Sequence, residues 1–178
     1  MFAFSHGDDQ LHLKRHHISL VQELGENNAL KLALDRKLEN LKDVDKIEEY
    51  EMPLSFKGEL RAYQKAGYNW LNFLDDYNFG GCLADDMGLG KTIQTLAFLQ
   101  KQKEKRDNVT SLLVLPTSLV YNWQDEAKKF TPNLSVMIYT GTNRLKRPEL
   151  FNTVDLVITT YGIVRLDTEI LEKYYFNY

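Results

Sequence analysis

The chain of 178 residues is long enough for one packed core with an appended segment, at roughly 100 to 200 residues per domain, and too short for two full domains. With 43% hydrophobic and 26% charged residues it has the balance of a globular protein, which excludes a wholly disordered chain. Because 22 basic residues stand against 25 acidic ones, the net charge of −3 gives no global basic field, so net charge alone predicts no nucleic-acid or membrane partner.

The sequence shows neither a membrane span nor an export signal. Apolar runs such as Leu112–Leu115 stop after four residues, far short of the roughly 18 that a span needs. The start, Met1–His6, has no basic region followed by a long apolar stretch. The single cysteine, Cys82, cannot form an internal disulfide, which fits a reducing compartment. We expect a protein that is not secreted and has no membrane partner.

Residues 1–52 read as a helical and linker segment that precedes the main domain. Leucines at helical spacing within Ala29–Leu41 predict one amphipathic helix. The polar, acidic stretch Asp43–Pro53 ends in proline and predicts a linker. The helix is expected to pack against the rest of the protein, and docking of a protein partner through residues 1–52 is the open alternative.

Residues 53–178 alternate between helical patterns and short strand-like runs. Helices are predicted around Leu60–Leu74, ended by Asn78–Gly81, over Lys91 to about Lys103, over Leu119–Phe130 and over Ile163–Tyr175. Strands are predicted at Cys82–Ala84, Ser111–Leu115, Leu134–Tyr139 and Asp155–Thr159. Strands that alternate with helices indicate the α/β class, with a parallel sheet covered by helices on both faces.

One glycine-rich stretch has the composition of a phosphate-binding loop. Gly88 and Gly90 allow backbone N–H groups to turn toward one point, and the helix that follows directs its positive end there. Lys91 can add a full positive charge at the phosphates, and Thr92 offers a hydroxyl to magnesium. The strict phosphate-loop pattern has glycine where this chain has Asp85. The alternative is an ordinary helix start with a glycine turn and a solvated lysine.

Four motifs in chain order resemble the start of the Swi/Snf-type ATPase motor, a branch of the superfamily-two helicases. They are Leu60–Leu71, Gly81–Gln94, Leu112–Trp123 as motif Ia and Leu156–Gly162 as motif Ib. The resemblance implies a P-loop NTPase fold, specifically the amino-terminal part of a RecA-like lobe over residues 53–178. It also accounts for Asp85, because the family carries an acidic residue there, while Asp86 replaces the usual glutamate.

The resemblance implies ATP and Mg²⁺ as cofactors, with Lys91 as the catalytic residue. Gln64 matches the adenine-reading glutamine, whose amide can both donate and accept. Thr92 is the implied magnesium ligand. The full set of implied nucleotide-binding residues is Gln64, Asp85, Asp86, Met87, Gly88, Leu89, Gly90, Lys91 and Thr92.

The resemblance further implies double-stranded DNA as a partner. Thr117 and Ser118 follow a strand end and open a helix, where hydroxyls and N–H groups can hold a DNA phosphate or simply cap the helix. Thr159 and Thr160 hold the equivalent position after the last strand. Such contacts need no surplus of basic residues.

In this family two lobes close on ATP and translocate along duplex DNA, in the nucleus or in the cytoplasm beside the nucleoid. The chain matches part of one lobe and stops before the acidic magnesium motif, so we expect an excerpt whose partner is the rest of the motor. Such an excerpt should bind ATP and hydrolyse it hardly at all, since an arginine finger alone contributes about a thousand-fold or more. A strand-separating helicase and a non-catalytic nucleotide- or protein-binding module are the alternatives.

Overall fold

A computed structural model of the chain describes residues 47–106 and 109–178. The helix predicted within Ala29–Leu41 lies outside these residues. Within the described part the helices are α1 (Ala62–Asp76), α2 (Lys91–Lys105), α3 (Val120–Phe130), α4 (Tyr161–Leu166) and α5 (Thr168–Leu171), and the strands are β1 (Ser111–Leu115), β2 (Val136–Ile138) and β3 (Leu156–Thr160). None of these helices is long and apolar enough to cross a membrane.

The three strands form one parallel sheet in the order β1-β3-β2. The central strand β3 is buried along its whole length, as expected for a strand with covered faces and two neighbours. Its alternate side chains enter two clusters: Leu156 and Ile158 pack with α2 and α3, whereas Val157 packs with Phe151 and Leu171. This arrangement confirms the predicted α/β class with chain packed on both faces of a parallel sheet.

One predicted strand is not formed in the structure. The segment Cys82–Ala84 forms no strand, and Cys82 and Ala84 are exposed. A strand needs hydrogen-bonded neighbours, and this segment is in no ladder of the described sheet. Along the edge of β1, the amide of Asn177 instead donates to the Thr110 carbonyl at 2.9 Å, and the amide of Leu112 donates to the Tyr178 carbonyl at 2.9 Å.

Polar as well as apolar residues form the buried face of α1. The positions nearest the core are Gln64, Tyr68 and Asn72, which lie one helical turn apart, while Tyr63 is 40% exposed. The buried polar groups have partners: the Tyr68 hydroxyl donates to the Glu51 carbonyl, and the Asn72 amide donates to the Tyr68 carbonyl, both at 2.8 Å. Because these polar groups have hydrogen-bond partners, they can be buried at little cost in free energy. A search for apolar residues at helical spacing does not find them.

Contacts within the described residues fall into two units, Glu48–Asn72 with Cys82–Tyr178, and Ile47 with Phe73–Gly81. The second of these contains the end of α1. Asn78 adopts a left-handed conformation with φ 56°, and the amide of Phe79 donates to the Leu74 carbonyl at 2.8 Å. The helix therefore ends where predicted, with asparagine rather than glycine in the left-handed position.

The segment before α1 is tied to the larger unit by a carboxylate. Glu104 on α2 accepts hydrogen bonds from the amides of Leu54 at 2.8 Å and Ser55 at 3.0 Å. Burial acts to raise the pKa of Glu104, but these bonds and the amide of Gln100 outweigh it and hold the pKa below its usual value. Tyr50 and Met52 pack against the main core. The part of the predicted linker that is described therefore lies against the domain.

The helix predicted over Ile163–Tyr175 is broken at Asp167, which is buried among basic groups. Its carboxylate accepts from Arg144 at 2.5 and 2.8 Å and from the Tyr139 hydroxyl at 2.8 Å, and Lys146 lies 3.1 Å away. The Arg144 hydrogen bonds, opposed by burial, hold the pKa of Asp167 far below its usual value. Burial and the adjacent carboxylate raise the pKa of Tyr139 to about 12. This network fixes the loop around Arg144 to the turn between α4 and α5.

We expect Asp167→Asn to destabilise the protein, because Arg144 would lose its charged partner. The melting temperature should fall by roughly 5–10 °C. A carboxyl group whose pKa is lowered by folding stabilises the folded state at pH values above its pKa in the unfolded chain, which is about 4. This stabilisation is lost as the pH falls toward the pKa of the folded state. Thermal unfolding between pH 7 and pH 3 should show a weaker acid dependence in the variant. An unchanged acid profile would contradict this role of Asp167.

Candidate phosphate-loop site

The loop Asp85–Gly90 leads directly into the first turn of α2. Gly88 and Gly90 have φ angles of +88° and +79°, in the left-handed region that favours glycine. Gly90 is the N-cap of α2 and provides no side-chain hydrogen bond to the first turn. The amides at the start of α2 are therefore not capped by a side chain, which is the arrangement that suits an anion at the positive end of a helix.

The side chain of Lys91 folds back into this loop. Its ammonium group donates hydrogen bonds to the carbonyl oxygens of Asp85 at 2.5 Å and Asp86 at 2.9 Å. The loop thus already surrounds one positive charge, at the place where the sequence predicts phosphate oxygens. An ammonium has three donors, and an anion bound here would compete with backbone carbonyls for them.

The structure brings Gln64 of α1 against the same loop. Its Nε2 donates to the Leu89 carbonyl at 3.0 Å, and its Oε1 accepts from the amide of Arg61 at 2.9 Å. Gly90 must lack a side chain at this contact, since a Cβ there would stand 2.5 Å from Gln64 Nε2. Gln64 is 8% exposed, so its amide lies mostly inside the protein, holding the loop.

The remaining predicted residues of the loop are open to solvent to different degrees. Met87 is 97% exposed and Leu89 is 38% exposed, while Thr92 is partly buried in the first turn of α2. No group of three His, Cys, Asp or Glu side chains suited to a metal occurs in the part of the chain that the structure describes.

Two residues of this site were missed by sequence reasoning. Gln94 is fully buried, and its Nε2 donates to Asp85 Oδ2 at 3.1 Å and weakly to the Gly90 carbonyl at 3.4 Å. Gly67 on α1 lies against Gln94, where an added Cβ would come within 2.0 Å of Gln94 Oε1. A glutamine within the buried stretch of α2 was the available signal in the sequence.

The candidate DNA-binding residues lie at the ends of the neighbouring strands β1 and β3, in which Leu115 pairs with Thr160. Thr117 and Ser118 are exposed in the single 3₁₀ turn Thr117–Leu119 after β1. Thr160 is the N-cap of α4, and its hydroxyl accepts from the amide of Ile163 at 3.4 Å. Parallel strands end at one edge, so both groups lie at the same edge of the sheet.

The prediction for Thr159 needs a correction. Its side chain is fully buried, and its hydroxyl donates to the Tyr139 carbonyl at 2.8 Å. Successive residues of a strand point to opposite faces, so Thr159 and Thr160 cannot both face a ligand at the sheet edge. A phosphate contact by Thr159 would require this internal hydrogen bond to break.

A parallel α/β sheet, a glycine loop, a lysine that folds back into this loop and a helix that starts there are together typical of P-loop-type lobes. The SNF2-related domain family matches residues 63–178, and the chain belongs to this family. Its fold matches the Sulfolobus solfataricus SWI2/SNF2 ATPase core domain with a TM-score of 0.66 and 35% identity, over 75% of this chain and 27% of that one. The same core in complex with dsDNA matches with a TM-score of 0.61 and 35% identity, over 68% of this chain and 25% of that one.

Relatives of known sequence include bacterial and eukaryotic proteins. The chain is 43% identical over 144 residues to the putative ATP-dependent helicase/translocase YwqA of Bacillus subtilis, covering 79% of this chain and 16% of that protein. It is 38% identical over 156 residues to the TATA-binding protein-associated factor MOT1 of Saccharomyces cerevisiae, covering 79% of this chain and 8% of that protein. The chain therefore spans a small part of the length of these relatives.

We expect Gly67→Ala to destabilise the protein although it replaces glycine within a helix. An added methyl would clash with Gln94, and overpacking of this kind costs about 1–3 kcal/mol. Gly162→Ala on α4 is the matched control, because nothing lies within 4 Å of its added Cβ and helix propensity favours alanine by up to about 1 kcal/mol. Chemical denaturation of both variants should give shifts of opposite sign. Equal stabilisation would show that the carboxamide of Gln94 moves aside freely.

Proposed function

We propose that the chain is the ATP-binding portion of a DNA-dependent ATPase that translocates on double-stranded DNA. The observation that carries this proposal is the loop around Lys91: two left-handed glycines, a helix start without a side-chain cap and an ammonium group meet at one point. Backbone N–H groups and a fixed positive charge together suit the β and γ phosphates of a nucleotide.

Each residue of the loop has a chemical role in this proposal. Lys91 exchanges carbonyl oxygens of the loop for phosphate oxygens, a stronger charge-assisted bond. Gln64 sits beside the loop and can turn its amide to adenine, which both donates and accepts. The hydroxyl of Thr92 would hold Mg²⁺, which neutralises phosphate charge when it is bound. Asp85, Asp86, Met87 and Leu89 complete the loop, with their backbone rather than their side chains directed to the nucleotide.

The DNA side of the proposal rests on the carboxyl ends of β1 and β3, which lie at the same edge of the sheet. Thr117 and Ser118 are exposed hydroxyls next to a turn of backbone amides, and Thr160 opens α4 beside them in the sheet. Such groups position a duplex by its phosphates without reading its bases. The solved relative in complex with dsDNA supports this partner. We further propose that the protein acts in the cytoplasm beside the nucleoid or in the nucleus.

The rest of the motor is a proposed partner of this chain. Its relatives are several times longer than the stretch that matches, and hydrolysis in P-loop motors needs a carboxylate for magnesium and water and an arginine finger. We therefore expect the 178-residue polypeptide alone to bind ATP with little turnover. The full-length protein is the proper material for tests of hydrolysis and translocation.

Replacing Lys91 tests the nucleotide site. We expect Lys91→Ala in the full-length protein to raise the Kd for fluorescent ATP by about 10- to 100-fold, because a charge-assisted hydrogen bond to phosphate is lost. Lys101→Ala, on the same helix two turns and more away from the loop, is the matched control and should bind like wild type. ATP turnover that survives Lys91→Ala would contradict the site.

Three assays on the wild-type protein separate the alternatives: binding of fluorescent ATP, ATP turnover with and without blunt duplex DNA, and opening of a forked DNA. A non-catalytic protein-binding module would bind no ATP or bind it without DNA-stimulated turnover. Stimulation by blunt duplex without opening of a forked substrate supports a translocase, whereas opening of the fork favours a strand-separating helicase.

Replacing the exposed hydroxyl of Ser118 tests the DNA edge. We expect Ser118→Ala to weaken binding of blunt duplex DNA by about 2- to 10-fold, the range of one hydrogen bond to a phosphate. Thr168→Ala, which removes an exposed hydroxyl at the start of α5, serves as the control. Fluorescence anisotropy at fixed salt measures both affinities. Equal affinities of the two variants would contradict the placement of DNA at this edge.

A further inference from the structure

We propose that Gln94 is a positioning residue of the phosphate loop, acting through its hydrogen bond to the side chain of Asp85. This inference rests on the proposed nucleotide site and adds to it a residue that does not touch the nucleotide. Asp85 occupies the position that is glycine in the strict phosphate-loop pattern. The structure gives this carboxylate a function inside the protein, as the acceptor of the Gln94 amide at 3.1 Å.

Asp85 is held at two points, and both bear on the loop. Its carbonyl oxygen accepts from the Lys91 ammonium at 2.5 Å, while its Oδ2 accepts from Gln94 Nε2. The bond from Gln94 therefore fixes the peptide whose carbonyl holds the lysine in place.

The position of Gln94 is itself fixed by its surroundings. The side chain is fully buried, and Gly67 on α1 leaves it space that any side chain at position 67 would fill. Its Oε1 has no hydrogen-bond partner among the described residues, and leaving a buried acceptor unsatisfied is unfavourable. A glutamine that leaves one end unsatisfied contributes little to stability by itself, so its value lies in what the other end holds.

The same helix provides a matched control. Gln100 is 1% exposed, also leaves its Oε1 without a partner, and also donates to a carboxylate, that of Glu104 at 3.0 Å. Glu104 lies at the far end of α2 and holds the segment before α1 instead of the loop. Two buried glutamines of equal chemistry thus differ in the element that they fix.

The substitution Gln94→Met tests this role, because methionine keeps the length of the side chain and removes the amide. In the full-length protein, Gln94→Met should raise the Kd for fluorescent ATP by about tenfold, because the lysine and the loop backbone lose their fixed positions. The two variants should have similar melting temperatures, because both glutamines leave one end unsatisfied, and Gln100→Met should leave the Kd near that of wild type. Equal Kd values for the two variants would overturn the proposal, since the effect would then be structural.

A second variant removes the same bond from the loop side. Asp85→Ala should raise the Kd as Gln94→Met does, and the double variant should be no weaker than either single one, because both act through one interaction. Effects that multiply in the double variant would overturn the proposal. If Gln94→Met does not fold, Asp85→Ala decides, and a wild-type Kd would overturn it.

Failure of this proposal is distinguishable from failure of the proposed function. If wild type binds ATP, Lys91→Ala does not and Gln94→Met binds like wild type, the site stands and the role of Gln94 is refuted. If wild type itself binds no ATP, both fail together.

Discussion

The buried amides of α2 are the constraint on which the site depends. A carboxamide in the interior must use its donors, because water is not available to replace a lost partner. Gln94 donates to Asp85 of the loop, Gln100 to Glu104, and Gln102 to Asn72 of α1 at 3.2 Å. One helix thereby fixes the phosphate loop at its start and orients α1 and the Glu104 carboxylate near its end.

The class of fold could be predicted from the sequence because it rests on local signals. β1 was predicted with the same bounds as observed, and α3 ends at Phe130 before Thr131 and Pro132 as expected. β-branched and aliphatic runs of five residues leave few alternatives to a buried strand. The glycines of the loop were found for the same reason, since their left-handed backbone needs that residue type.

What the sequence did not predict depends on partners distant in the chain. Cys82–Ala84 has strand composition but no ladder in the described sheet, and composition alone cannot provide hydrogen-bonded neighbours. The helix expected over Ile163–Tyr175 breaks because Asp167 is drawn to Arg144, 23 residues away. The aromatic residues at the end of the chain also depend on a distant partner. The rings of Tyr174 and Phe176 each lie 5.4 Å from the ring of Phe151, while Tyr175 is 83% exposed.

The last two residues of β3, both threonines, differ in the direction of their side chains. Alternation along the strand directs Thr159 into the sheet, where it donates to the Tyr139 carbonyl, and leaves Thr160 to cap α4. The hydroxyl of Tyr139 in turn donates to Asp167, beyond the end of α4. Tyr139 is therefore hydrogen-bonded both to Thr159, which precedes Thr160, and to Asp167, which follows α4. The hydroxyl of Thr159 is thus used inside the protein, as the buried amide of Gln94 is.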